Sequence, residues 1–262
     1  MTEAAGPLPD FAAFARLLAD AARRETLDRA GFSVENKLGE AGWDPVTEAD
    51  RGAERVIRQL IEYRYPSHGI VGEEFPDRPA QSPWSWSLDP VDGTRAYVCG
   101  LPSWTTLIAL LDAGEPVLGL VDVPRVGERY IGYGGTAVLV QGKEERALRV
   151  SGCRSLCEAR FATTDPYMFH GADRERFERL RDQAQVTRFG WDAYAYARVA
   201  AGTIDLVVEA GLKPHDYNAL VPLVRAAGGV VSNWQGGDRL DEGKIVAAAS
   251  RELLDEACAL LA

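Results

Sequence analysis

The chain has 262 residues, with 29 Lys and Arg against 39 Asp and Glu, and its formal charge of −10 argues against a nucleic-acid or anionic-membrane partner. A hydrophobic content of 46% is ample for a buried core, in one large domain or two small ones. The stretch MTEAAGPLPDFAAFARLLADAARRE lacks a basic region followed by an apolar one, and no apolar run approaches the roughly 20 residues that span a bilayer, so a cytoplasmic protein is expected.

Phe11, Phe14, Ala15, Leu18 and Ala22 recur at helical spacing, and ADRGAERVIRQLIEYRYP repeats the period. Between these helices FSVENKLGEAGWDPVTEAD, rich in Gly and charge, reads as a hairpin or long loop that delivers Thr47 and Asp50 to the start of the second helix. HGIVGEEF and WSWSLDP read as short strands ending in acids. TTLIALLDAGEPVLGLVDVP reads as two strands around a turn, and ERYIGYGGTAVLV continues the strand pattern. After Gly142 the texture changes to helices at 172–184 and 193–201, the strand TIDLVVEA, a helix at 217–227 closed by Gly228-Gly229, the segments GGVVSNW and KIVAAAS, and a last helix. That change divides the chain softly into 1–140 and 141–262. Cys99, Cys153, Cys157 and Cys258 show neither a pairing pattern nor a matching second half of a zinc site, which leaves reduced thiols.

Strand ends present side chains to a crevice, so Glu73, Asp89 and Glu209 are weighed together. In LDPVDGT, Pro90 stiffens the turn, Gly93 permits a tight bend, and Thr94 sits where free backbone N–H groups begin a helix. Asp89 and Asp92 held close repel each other unless a cation lies between them, and oxygen ligands suit Mg²⁺ better than zinc. An Asp-rich turn that merely caps a helix is the alternative. Mg²⁺ on carboxylates beside a helix N-terminus makes a phosphate receptacle, which points to phosphate-ester hydrolysis.

VGEEF, LDPVDGTRAY and GLKPHDYNALVPLVRAAGGVV, in this order and spacing, resemble the three signatures of the inositol-monophosphatase family of Mg²⁺-dependent, lithium-sensitive phosphatases. The resemblance implies an α+β fold, a layered αβαβα sandwich of the inositol monophosphatase and fructose-1,6-bisphosphatase type, and a homodimer. It implies a metal-dependent phosphoric monoester hydrolase using two or three Mg²⁺ ions per site, with Mn²⁺ as a substitute and Li⁺ inhibitory. Glu73 would bind metal and polarise the attacking water, Asp89 would bridge two metals, the Val91 carbonyl would bind one of them and Asp92 the other, and Asp216 would complete the coordination of the second metal. The amides of Gly93 and Thr94 would hold phosphate, while Thr94 and Asp50 would orient the water; Thr47 and Asp50 also fit plain helix capping. Lys37 matches a basic family position on a loop near the metals, and also fits a solvated lysine.

DAYAYARVAAGTIDLVVEAGLKPHDYNALVPLV, with TTLIALLDAGEPVLGLVDVPRVGERYIG, resembles the histidinol-phosphate phosphatase branch. Histidinol phosphate carries an ammonium and an imidazole where inositol carries neutral hydroxyls, and a cationic substrate wants acids. Glu209 matches the family position that contacts the alcohol, and Asp192 faces the same pocket; an N-cap for Asp192 and a strand-end acid for Glu209 are the plainer alternatives. Trp191, Tyr194 and Tyr196 fit either imidazole stacking or core packing. Arg95, Trp191 and His215 depart from the branch pattern and receive no role. Inositol 1-phosphate or another sugar monophosphate is the alternative substrate, and a non-catalytic metal-binding interaction protein is the alternative of another class.

Overall fold

A computed structural model describes residues 8–27, 34–37 and 45–262, so the segment predicted as a hairpin or loop over 32–50 lies partly outside the described residues. In chain order the elements are α1 (Leu8–Leu27), β1 (Val34–Asn36), β2 (Pro45–Thr47), α2 (Glu48–Arg64), β3 (Gly69–Gly72), β4 (Trp84–Asp92), α3 (Thr94–Val98), β5 (Thr105–Asp112), β6 (Glu115–Val123), β7 (Glu128–Tyr133), β8 (Thr136–Gln141) and β9 (Glu144–Ala147). They continue with β10 (Arg160–Thr163), α4 (Ala172–Arg181), β11 (Val186–Phe189), α5 (Asp192–Ala200), β12 (Leu206–Glu209), α6 (Pro214–Tyr217), α7 (Leu220–Ala226), β13 (Val230–Asn233), β14 (Ile245–Ala248) and α8 (Arg251–Leu261).

β3 to β9 form a seven-stranded sheet in sequence order, antiparallel except for the parallel β3–β4 pair. β10 to β14 form a five-stranded sheet in the order β11-β10-β12-β14-β13. The β5–β6 and β7–β8 hairpins turn on Ala113-Gly114 and Gly134-Gly135, whose positive φ values match the tight two-residue turn that suits twisted strands.

The apolar runs of β5 and β6 look continuous because both faces of the large sheet are covered. Ile108, Leu110, Leu118 and Leu120 pack with Trp86, Leu88 and Ile131 against Phe11, Leu18, Ile57 and Ile61 of α1 and α2. Leu107, Ala109, Val121 and Tyr130 point the other way, to Val199 of α5 and Leu220, Leu223 and Val224 of α7. Those helices in turn meet Ala162, Val207, Ile245 and Ala247 of the small sheet, whose opposite face buries Phe161, Leu206, Val208 and Val246 against Phe177, Leu180, Leu253 and Leu254 of α4 and α8. The order of layers is therefore αβαβα, as the sequence resemblance implies.

Two sequence expectations differ from the structure. WSWSLDP does not end at its acid: β4 runs on to Asp92 across an irregularity. The helix expected at 217–227 is two, α6 and α7, because Pro222 has no N–H to offer the Asn218 carbonyl and the Asn218 side chain instead donates to Ser87 Oγ at 3.1 Å. The strands β9, β10 and β11 were not legible; each is four residues long, and β9 is exposed throughout.

α7 can lie directly on the large sheet because Gly119 and Gly132, register partners in β6 and β7, present no side chain to it. A Cβ on Gly132 would sit 2.4 Å from Leu223 Cα, and one on Gly119 would sit 1.8 Å from the Ala219 carbonyl oxygen. Gly132→Val should therefore push α7 away and lower stability by about 1–3 kcal/mol, read from the urea midpoint. An unchanged midpoint would show that the contact is not tight.

Candidate active site

Leu88 faces α1 and α2, so strand alternation turns Asp89 toward the middle helical layer. Three residues further along a regular strand, Asp92 would face the opposite side. The register against β5 prevents this: Asp89 lies opposite Leu107 and Asp92 opposite Thr105, so β4 accommodates one extra residue as a bulge. Pro90 is tolerated there, and its carbonyl accepts from Thr106 Oγ1 at 2.7 Å while the Val91 N–H donates to Asp89 Oδ1 at 3.1 Å. Carboxylate oxygens of Asp89, Asp92 and Asp216 consequently lie within 4.8 Å of one another.

Burial pushes the Asp89 and Asp92 carboxyls well above the usual range, reinforced for Asp89 by Glu73, Asp92 and Asp216 and for Asp92 by Asp192 and Asp216. Burial also raises Asp216, with His215 opposing it from 3.4 Å; the other Asp216 oxygen accepts from the Lys213 N–H at 2.7 Å. The Ala193 amide at the start of α5 donates to Asp92 Oδ2 at 2.8 Å, which ties the middle layer to β4. Crowded oxygens that lack an opposite charge among themselves fit a hard divalent cation such as Mg²⁺. The Val91 carbonyl adds a further oxygen beside them, accepting from Thr94 Oγ1 at 3.0 Å.

Asp50 divides its two oxygens. Oδ2 takes the Thr47 N–H at 2.8 Å and the Thr47 hydroxyl at 2.5 Å, completing a capping box at the head of α2, whereas Oδ1 lies 3.5 Å from Thr94 Oγ1. Capping and a place beside Thr94 thus coexist in one side chain. Glu73 follows β3, and Lys37 reaches both Glu73 Oε1 at 2.8 Å and Glu74 Oε1 at 2.5 Å. Burial pushes Glu73 up, but the attraction and hydrogen bond of Lys37 hold it below its ordinary value. Gly93, at φ +80°, leads the chain into α3 and places Thr94 first in that helix.

A cavity of about 140 Å³ opens beside Asp92 and Asp216, lined by Asp192, Glu209, Thr164, Tyr196 and the apolar Met168, Leu212 and Leu220. Asp192 is the first residue of α5 rather than its cap, at φ +46°, and its Oδ2 lies 3.0 Å from the place where a Cβ on Gly93 would stand. Burial raises Asp192 to about 6, with Arg95 opposing. Glu209 shares the inward face of β12 with Val207; Thr164 donates to its Oε1 through the backbone N–H at 2.9 Å and through the hydroxyl, and Tyr196 OH donates to Oε2 at 3.1 Å. Burial pushes Glu209 up to about 7, with the Thr164 hydroxyl opposing and Asp192 reinforcing.

Of the three aromatics weighed for stacking, Tyr196 alone lines this cavity. Trp191 and Tyr194 line a different groove of about 450 Å³ with Arg188, Arg198 and Glu128, and Tyr194 OH donates to Glu128 at 2.8 Å. Arg95 lies 3.9 Å from Asp165, with a side chain 68% exposed.

Several supports were not found by sequence reasoning. Thr164 lies just beyond the illegible β10. Buried Glu54 receives Arg58 Nε at 2.7 Å and the Glu74 N–H at 2.8 Å, while Arg58 Nη2 donates to the Phe75 carbonyl at 3.0 Å, so α2 fixes the segment carrying Glu73. The four-residue spacing of Glu54 and Arg58 on a helix was the available signal.

The profile described as the inositol monophosphatase family matches residues 10–262. The chain is 39% identical over 233 residues to the chloroplastic bifunctional phosphatase IMPL2 of Arabidopsis thaliana, a match that covers 87% of this chain and 66% of that relative's length. It is 34% identical over 262 residues to a histidinol-phosphatase of Streptomyces coelicolor, covering 95% and 97% of the two chains. An inositol monophosphatase from Zymomonas mobilis superposes with a TM-score of 0.82 at 35% identity, over 98% of this chain and 99% of that one.

The repulsion among these acids has a sign that can be checked. Raised folded-state values mean that ionised Asp89 and Asp92 destabilise the ion-free protein as pH climbs above the ordinary carboxylate range. In chelator at neutral pH, Asp89→Asn should therefore raise stability by about 1 kcal/mol or more, measured by urea unfolding. Lower stability in the variant would mean that the repulsion is already relieved within the protein.

Proposed function

The chain belongs to the inositol monophosphatase family, and on that premise we propose that it is a Mg²⁺-dependent phosphomonoesterase that hydrolyses L-histidinol phosphate to L-histidinol and phosphate, in histidine biosynthesis. The observation that carries the substrate is the pair Asp192 and Glu209, two acids that line the cavity beside the Asp89, Asp92 and Asp216 cluster without belonging to it.

Glu73, Asp89, Asp92, Asp216 and the Val91 carbonyl would hold the metal. Bound Mg²⁺ supplies acidification of a water and neutralisation of the ester's negative charge. The Thr94 hydroxyl, between the Val91 carbonyl and Asp50 Oδ1, would orient the water and pass its proton toward Asp50. The amides at Gly93 and Thr94 would receive the phosphate at the start of α3, where a side chain on residue 93 would collide with Asp192. Attack would be by water directly on the phosphorus, in line and without a phospho-enzyme.

The alcohol would lie toward β12 and α5. Its ammonium would meet the carboxylates of Asp192 and Glu209, and its imidazole the apolar side formed by Met168, Leu212 and Leu220. A neutral polyol would leave buried Glu209 and half-buried Asp192 without the substrate's ammonium, which penalises it. Inositol monophosphate is the competing substrate, supported by the likeness to the Zymomonas mobilis enzyme.

The direct test compares kcat/KM for histidinol phosphate and inositol 1-phosphate, and a preference for the inositol ester would refute the assignment. Glu209→Gln should cost histidinol phosphate about 1.5–3 kcal/mol in kcat/KM, the worth of a hydrogen bond to a charged group, and spare a neutral ester. Equal losses on both esters would show that Glu209 does not sense charge. Because burial raises Asp192 to about 6 and Glu209 to about 7, the histidinol-to-inositol ratio of kcat/KM should climb more steeply between about pH 5.5 and 8 in the unaltered chain than in Glu209→Gln, a comparison in which the titrations of the substrates' own phosphate and imidazole cancel. The same pH profile of the ratio in both proteins would contradict Glu209 as selector.

A further inference from the structure

Glu74 receives no role from the family resemblance, yet it shares Lys37 with Glu73. The ammonium stands 2.8 Å from Glu73 Oε1 and 2.5 Å from Glu74 Oε1, and the Glu74 side chain is 3% exposed. The two carboxylates are not free to follow the lysine, because the Glu74 N–H is bound to Glu54 and the next carbonyls, of Phe75 and Pro76, are bound to Arg58. Lys37, by contrast, sits on the turn directly after β1 at the end of a long flexible side chain.

Resting on the assignment of Glu73 as a metal ligand, we propose that Lys37 is a tethered counter-ion: its ammonium occupies Glu73 in the ion-free protein, a divalent cation displaces it, and the neighbouring Glu74 retains it. An ammonium and a dication compete for the same lone pairs, and two cations in contact repel. The crowd of acids around Asp89 explains why a built-in cation would be held there at all. Apparent metal affinity scales with the fraction of molecules in which the lysine is already away from Glu73, and by linkage metal binding releases the Lys37 ammonium from Glu73. Glu74 thereby acquires a function distinct from ligation, since it keeps the released charge from being lost to solvent.

Calorimetric titration of the chelator-treated full chain with MgCl₂ tests this without any turnover. Lys37→Met should bind Mg²⁺ about five- to tenfold more tightly than the unaltered chain, and Lys37→Arg, which keeps a cation on the same tether, should stay within about twofold. Arg95→Met removes a positive charge that acts on Asp192 and lies 3.9 Å from Asp165, and should change affinity by less than about twofold. Unchanged or weaker binding by Lys37→Met overturns the proposal, as does an equal gain in Arg95→Met, which would reduce the effect to general charge. Failure of the unaltered chain to bind Mg²⁺ at all would overturn the metal-ligand assignment beneath it as well.

Discussion

One extra residue in β4 decides what the rest of the site can be. Without the bulge at Pro90 and Val91, Asp89 and Asp92 would face opposite sides of the large sheet, and their charges would never meet. With it, both enter the layer between the sheets, where Asp216 arrives from α6 and the Ala193 amide arrives from α5. Folding therefore brings together charges that oppose folding, and hydrophobic packing on both faces of β5 and β6 has to hold them there. The paired glycines of β6 and β7 belong to the same arrangement, since α7 must lie close to the large sheet for α6 to aim Asp216 at β4.

On the proposed function, the chemistry and the choice of substrate would be carried by different parts of the chain. Reaction chemistry would fall to β4, the start of α3, the acids that follow β3 and head α2, and Asp216 of α6. Selection would fall to β12 and the first turn of α5, in the small sheet and the middle layer. Glu209 is held from both sides by Thr164 and Tyr196, so its direction is set before any ligand arrives, and burial keeps its ionisation responsive to a nearby positive charge. Asp192 stands against Gly93, at the junction of the two regions.

How much of this could be read in advance depends on how local each feature is. The pairing of Asp89 with Asp92 was legible because LDPVDGT places two acids, a rigid residue and a helix start within seven positions, while Asp216 and the layered fold were legible through the family signatures. The bulge itself was not, since strand register depends on the partner strand: WSWSLDP looked finished at Asp89 when it continues to Asp92. The hold of Thr164 on Glu209 spans 45 positions and starts beside a four-residue strand, which leaves no periodic trace. The break between α6 and α7 had a visible cause in Pro222, but its use, a hydrogen bond from Asn218 to Ser87 across 131 positions, required the fold. Of the aromatics read as fitting either stacking or core packing, Tyr194 and Tyr196 are buried in the core between the sheets, and Trp191 and Tyr194 line a groove other than the one beside Asp192.

The central question is whether the carboxylates gathered by the bulge do chemistry through a cation. The most direct measurement is phosphate release from histidinol phosphate by Asp89→Asn at saturating Mg²⁺, alongside the unaltered chain with and without chelator. Release that requires Mg²⁺ and falls by a factor of about 10² or more in Asp89→Asn, in a variant that remains folded, is the predicted result. Release at the normal rate in the variant, or in the presence of chelator, would contradict it.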